Sequence, residues 1–158
     1  MAEKKIKATV DFQVEFYDVD SMKVAWHGNY VKYMEVHGNY VKYMEVARCA
    51  LLTKIKYDYF AMEESGYAWP VVDMHVKYLR PMIFMQKIRA EVTLEEYEIC
   101  LKLSYKFFDA ETGALLTKAE SMQMAFDMEK KESLMVCPPC FVERVRAAIA
   151  EDEAAESK

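Results

Sequence analysis

Apolar and polar residues alternate with a period of two in five separate runs of the chain. In the first run, Ile6, Val10 and Val14 lie on one side and mostly polar residues on the other, which is the pattern of a strand with one buried face. Turn-forming segments such as Arg80–Pro81 and residues 109–113 separate the later runs. The pattern therefore predicts five long strands, over residues 6–17, 69–79, 83–94, 98–108 and 115–127.

A spacing of three and four residues replaces this alternation between the first strand and the other four. It predicts a helix of about 18 residues with a wide apolar face, formed by Tyr40, Tyr43, Met44, Ala47, Ala50, Leu51 and Ile55. Two prolines begin a second amphipathic helix over residues 139–150. This order of elements predicts an α+β fold, a mostly antiparallel sheet with its helices on one face. We expect residues 1–150 to form one domain and the acidic residues 151–158 to form a disordered tail.

The head of the predicted long helix carries a ten-residue segment twice, because residues 27–36 and 37–46 both read HGNYVKYMEV. Two short copies do not make a repeat architecture. Their identity points to a recent duplication, an engineered insertion or an artefact of sequencing. Ten extra helical residues would turn the apolar stripe by about 80°, whereas a loop costs mainly chain entropy. We therefore expect the second copy to form the helix body, with a loop near the helix head.

Composition and charge exclude several classes of function. The chain has 158 residues, 53% of them hydrophobic, which is enough for one ordinary core. A net charge of −5 lacks the basic footprint of a nucleic-acid-binding protein, so no nucleic-acid partner is predicted. No run approaches 18 apolar residues, so we predict no membrane insertion and a cytoplasmic location.

The cysteines predict no metal site. Cys137 and Cys140 have C-x-x-C spacing, but a structural zinc site needs a second pair of ligands. The three histidines, His27, His37 and His75, are not arranged near any cysteine to supply one. Reduced thiols beside a Pro-Pro turn are the simpler interpretation.

Asp20 is the best candidate for chemistry, because it lies where the first strand ends and the long helix begins. The N-terminus of a helix offers unpaired N–H groups and a partial positive charge, which can polarise a carbonyl oxygen. A carboxylate beside that point can act as a nucleophile or a general base. The alternative is that Asp18 and Asp20 are turn and capping residues, as aspartates often are.

Residues 16–30, FYDVDSMKVAWHGNY, are followed by VKYME and later by Ala47–Arg48. This segment resembles the active-site motif of the hotdog-fold acyl-CoA thioesterases, in the branch of 4-hydroxybenzoyl-CoA thioesterase and the YbgC-like enzymes. The resemblance covers roughly residues 6 to 130 and implies a five-stranded sheet wrapped around one long central helix. Many members have a glycine where this chain has Lys23, a difference that affects the local turn and the acyl specificity.

The resemblance also implies roles for individual residues. Asp20 corresponds to the catalytic carboxylate, and His27 to the residue whose backbone amide faces the thioester carbonyl. If the second copy fills the site, His37 takes that role instead. The implied substrate-binding residues are Gly28, Asn29 and Tyr30, or Gly38, Asn39 and Tyr40 in the second copy.

The function implied by this resemblance is the hydrolysis of acyl-CoA thioesters by a homodimer or homotetramer that needs no cofactor or metal. Two alternatives stay open. One is a thioesterase acting on acyl-carrier protein, and the other is a non-catalytic module that binds acyl thioesters.

Overall fold

The computed structural model describes residues 4–15, 24–25 and 30–157, and the side chains of residues 4–15 and 40–157. The helices within these ranges are α1 (Tyr30–Lys54), α2 (Tyr59–Ser65) and α3 (Pro139–Glu156). The strands are β1 (Lys7–Gln13), β2 (Val24–Ala25), β3 (Tyr67–Ala68), β4 (Val71–Tyr78), β5 (Met82–Ile83), β6 (Lys87–Glu96), β7 (Leu101–Asp109), β8 (Leu115–Gln123), β9 (Phe126–Asp127) and β10 (Glu132–Ser133).

The five long strands form one antiparallel sheet in the order β1-β6-β7-β8-β4. Each of them overlaps one of the five predicted runs, so the α+β prediction is confirmed. The shorter strands form a three-stranded sheet, β10-β9-β3, and a pair, β2-β5. The sequence pattern did not predict these two-residue strands, because a strand that short has no alternation to detect.

One face of the large sheet is buried and the other is polar. In β7, Leu101, Leu103 and Phe107 are fully buried, whereas the alternate residue Lys106 is exposed. The buried face packs against α1, whose contacts with the sheet run along β1, β6 and β7. Period-two alternation in the sequence therefore becomes an inner apolar face and an outer charged face.

The second copy of the duplicated segment forms the body of α1, as predicted. Tyr40, Tyr43, Met44 and Ala47 are at most 2% exposed, and their spacing continues to the buried Leu51 one turn further on.

The predicted loop at the helix head was wrong. Helix α1 runs without interruption through 25 residues from Tyr30, so it contains most of the first copy and all of the second. A helix satisfies the backbone N–H and C=O groups of the added residues internally, whereas a loop must find other partners for them. Gly38 inside the helix costs only about 1 kcal/mol. Because the extra turns extend the N-terminal end, the second copy keeps its phase against the sheet.

Helix α2 was missed by the sequence pattern, which indicated only a turn at residues 63–66. Asp58 caps the helix by accepting a hydrogen bond from the Ala61 N–H at 3.0 Å. Gly66 ends it in the left-handed conformation with φ 82°. Seven residues are too few to show a helical period, so the two caps were the available signal.

Helix α3 differs from the prediction at its C-terminal end. It continues to Glu156, so most of the expected disordered tail is helical. Its acidic residues pair with lysines of the neighbouring elements: Asp152 with Lys54 at 3.1 Å, Glu151 with Lys56 at 3.4 Å and Glu156 with Lys4. Exposed ion pairs contribute little each, so the helix propensity of the Ala- and Glu-rich sequence is the main cause.

An aromatic cluster attaches α3 to the rest of the fold. The Phe141 ring lies 4.7 Å from that of Trp69 and 5.5 Å from that of Tyr57, measured between centroids. The Trp69 indole N–H donates to the Tyr57 hydroxyl at 3.2 Å. Phe141 is completely buried.

Replacing Phe141 with alanine should lower the free energy of unfolding by about 3–5 kcal/mol, because it leaves a cavity between Tyr57 and Trp69. Urea denaturation measures this change. Glu143→Ala, on the exposed side of the same helix, is the matched control and should change stability by less than about 0.5 kcal/mol. Equal effects of the two substitutions would show that the cluster does not hold the helix.

Candidate active site

The N-terminus of α1 is the structural centre of the candidate site. Ahead of the helix, the short strand β2 pairs with β5, with Val24 opposite Ile83 and Ala25 opposite Met82. Helix α1 then begins at Tyr30. The first N–H groups of a helix have no partner within it and carry the positive end of its dipole. The geometry therefore supplies donors for a carbonyl oxygen or an oxyanion.

The predicted site residues fall into two groups relative to this helix. Asp20, His27, Gly28 and Asn29 lie outside the described residues. Tyr30 is the first residue of α1.

The second copy lies inside the helix. His37 is the eighth residue of α1, and Gly38 and Asn39 follow it. Beyond the first four residues, each backbone N–H is used in an intrahelical hydrogen bond. The amides of these three residues are therefore occupied, and the amides without an intrahelical partner, at the helix head, belong to the first copy.

Tyr40 belongs to the aromatic core beneath the helix. It is 1% exposed, and its ring lies 4.8 Å from that of Tyr78 and 6.1 Å from that of Tyr43. Tyr43 in turn stacks on Phe12 at 4.5 Å. Burial raises the pKa of Tyr40 to about 12. Its hydroxyl is therefore neutral at physiological pH.

The burial of Arg48 is a feature that the sequence pattern did not predict. Arg48 is 6% exposed and donates to the Glu45 carboxylate, which also accepts a hydrogen bond from the Tyr59 hydroxyl. The Nε and Nη1 atoms of Arg48 have no hydrogen-bond partner within the described residues. Burial and the hydrogen bond to Glu45 raise the pKa of Tyr59. This cluster connects α2 to α1. The spacing of Glu45 and Arg48 by three residues indicates that the two can pair, but it does not indicate that Arg48 is buried.

The described residues contain no group of three or more His, Cys, Asp or Glu side chains placed to hold a metal ion. All four cysteines are free thiols. Burial raises the pKa of Cys137 to about 12, so its thiol stays protonated and is a poor nucleophile. Among the helices described, none is both long and apolar enough to cross a membrane.

The buried phenol of Tyr40 should make stability fall as the pH rises from about 10 to about 12. The unfolded chain loses this proton near pH 10, while the folded chain keeps it until about pH 12. Over that window the unfolded state binds fewer protons, so alkaline pH favours unfolding. A shift of this size corresponds to about 2–3 kcal/mol.

Urea denaturation of wild type and Tyr40→Phe at several alkaline pH values measures this contribution, because the variant lacks the titrating group. Tyr67→Phe, at a half-buried position, is the control. The same pH dependence in wild type and Tyr40→Phe would exclude Tyr40 as a source of alkaline instability.

Comparisons of the sequence with a family profile and with a related protein both point to thioesterases. The profile of the thioesterase-like superfamily matches residues 14–153. The "Putative acyl-CoA thioesterase YneP" of Bacillus subtilis is 27% identical over 120 residues, which cover 75% of this chain and 79% of that protein.

Solved structures share the architecture. The DHNA-CoA thioesterase of Staphylococcus aureus superposes with a TM-score of 0.74 at 22% identity, covering 96% of this chain and 95% of that one. The 1,4-dihydroxy-2-naphthoyl-CoA thioesterase Slr0204 of Synechocystis gives 0.70 at 16% identity, covering 91% and 96%. At these identities the likeness establishes the fold, which is the predicted hotdog fold. Because the family profile spans nearly the whole chain, this protein belongs to the thioesterase-like superfamily.

Proposed function

We propose that this protein hydrolyses acyl-CoA thioesters. Its superfamily membership and the acyl-CoA thioesterase name of its Bacillus relative support the reaction class. The observation that carries the proposal is the head of α1 at Tyr30, ten residues after Asp20 in the motif segment. A carboxylate and a set of free backbone N–H groups are together sufficient for this chemistry, because a thioester carbonyl is weakly stabilised by resonance and is readily attacked.

Asp20 has two possible roles in the proposed mechanism. As a nucleophile, its carboxylate oxygen bonds to the carbonyl carbon, the C–S bond breaks, and CoA leaves as a thiolate that takes a proton from solvent. Water then hydrolyses the acyl-aspartyl anhydride. As a general base, Asp20 takes a proton from a water molecule that attacks the carbonyl directly. In both routes the amides near the helix head stabilise the oxyanion.

The first copy of the duplicated segment supplies the remaining residues in this proposal. The backbone amide of His27 faces the thioester carbonyl, and Gly28, Asn29 and Tyr30 contact the substrate. Support comes from the start of α1 at Tyr30, since the amides of His37, Gly38 and Asn39 are used within the helix.

Two other functions use the same fold. A thioesterase of acyl-carrier protein would differ in the carrier that it accepts, and a binding module would hold acyl thioesters without hydrolysis. The Bacillus relative and the Staphylococcus neighbour are both named as CoA thioesterases, which favours CoA as the carrier. Membership of the YbgC-like branch, assembly as a homodimer or homotetramer, and a cytoplasmic location stay predictions.

Asp20→Asn should lower kcat by at least about 100-fold, because the amide is neither a nucleophile nor a base. Single-turnover hydrolysis of a panel of aliphatic and aromatic acyl-CoAs measures the loss, with acyl-carrier protein thioesters as a second panel. Asp18→Asn, two residues away, is the matched control and should retain activity. An unchanged rate in Asp20→Asn would exclude Asp20, and binding without turnover in wild type would favour the binding module.

Deletion of residues 27–36 should raise kcat/KM by at least about tenfold. The deletion removes ten residues, seven of which (30–36) lie in α1, from between Asp20 and the core-packed second copy. It restores one unbroken motif from Asp20 to Arg48. Comparison of kcat/KM and of thermal stability for the two chains tests this. Equal activity would show that the duplication leaves the site unperturbed.

A further inference from the structure

A row of three lysines crosses the outer face of the large sheet, the face that points away from α1. Lys77 in β4 lies directly opposite Lys118 in β8, and Lys118 lies directly opposite Lys106 in β7. All three are exposed. Neighbouring strands are about 4.8 Å apart, so the three Cα atoms span about 10 Å. Like charges directly opposite each other destabilise a sheet.

Two ion pairs lie elsewhere on the outer face. Arg89 in β6 donates two hydrogen bonds to Asp11 in β1, at 3.0 and 3.2 Å. Glu95 pairs with Lys5. The three lysines of the row, by contrast, form no ion pair or hydrogen bond with any part of the chain that the structure describes.

The lysine row lines a depression of about 400 Å³, together with His75, Ser104 and Glu120. Glu120 is the one carboxylate among the residues that line it. The lining therefore has three ammonium groups and one carboxylate, while Glu91 of β6 lies directly opposite Lys106 but outside the lining. The Ser104 hydroxyl donates to Glu95 at 2.6 Å, so the lysines are the main donors. The depression is therefore large enough for a small anion and carries the opposite charge.

We propose that the lysine row binds a diphosphate group. A diphosphate carries several negative charges over linked phosphates and can reach more than one lysine at once, whereas a carboxylate offers a single charge. Lysine is a common phosphate ligand that acts as a flexible point charge, which suits an open depression. The diphosphate is either free or part of coenzyme A, and the second source rests on the proposed function.

Calorimetric titration with inorganic pyrophosphate at low ionic strength tests the site without any need for hydrolysis. Wild type should bind saturably, and added salt should weaken the binding. Lys118→Gln should raise the Kd by at least about tenfold, because it removes the central charge. Lys118→Arg keeps the charge and should bind nearly as wild type does. Lys102→Gln, on the same face of β7 but outside the depression, is the matched control.

Thermal stability gives a second readout that a purely structural lysine would not produce. Without pyrophosphate, Lys118→Gln should melt at the same temperature as wild type or higher, because like-charge repulsion is relieved. Pyrophosphate should raise the melting temperature of wild type and not that of Lys118→Gln. A lower melting temperature of ligand-free Lys118→Gln would overturn the proposal, since the row would then be neutralised by protein carboxylates, for example in a second copy. Absence of saturable binding, or equal loss in Lys102→Gln, would also overturn it.

Changing the carrier of the acyl group distinguishes between the two possible sources of the diphosphate. If the row binds coenzyme A, Lys118→Gln raises KM for acyl-CoA but not for the same acyl group on pantetheine, which lacks phosphates. If the row binds a free diphosphate, neither KM changes while pyrophosphate binding is still lost. Both outcomes support the site. Failure of hydrolysis in every variant counts against the proposed function alone.

Discussion

The packing of one helix stripe against one sheet face determines the rest of this structure. Tyr43, Met44, Ala47 and Leu51 of α1 are buried against strands whose inner residues are equally apolar. The free energy gained by this burial is roughly proportional to the apolar area removed from water. Rotating the helix would expose much of its long apolar stripe, so the rotational phase of α1 is fixed. The register of the sheet is fixed for the same reason, because a slip of one residue would move every inner side chain to the outer face.

This constraint explains how the fold accommodates a duplicated segment. The second copy must keep its phase, since it carries the buried residues from Tyr40 onward. The added turns therefore extend α1 at its free N-terminal end rather than rotating its body. The extension therefore changes the N-terminal end of α1, where the proposed chemistry lies. Stability and the proposed function thus depend on opposite ends of one helix, and in this proposal an insertion that the core tolerates changes the position of the helix head.

The sheet also separates two kinds of surface. Its inner face meets α1 and is nearly all apolar apart from a few polar side chains such as Thr117 and Ser121. Its outer face carries the charges, paired between β1 and β6 and unpaired in the lysine row. In the proposed function, the helix head polarises the thioester, while the outer face offers a separate place for phosphate groups. The buried Arg48 belongs to neither surface, and it links α1 to α2 through Glu45 and Tyr59.

The sequence by itself determined the local pattern and the motif. Period-two runs gave all five long strands, three- and four-residue spacing gave α1 and α3, and the segment around Asp20 indicated the superfamily, because each of these signals lies within a short stretch of chain. The tertiary structure alone decided the fate of the duplication, the burial of Arg48 and the alignment of Lys77, Lys118 and Lys106. Those features depend on which residues from distant parts of the chain become neighbours. Strand pairing and helix packing create such neighbours only in the folded protein, so no local pattern in the sequence contains them.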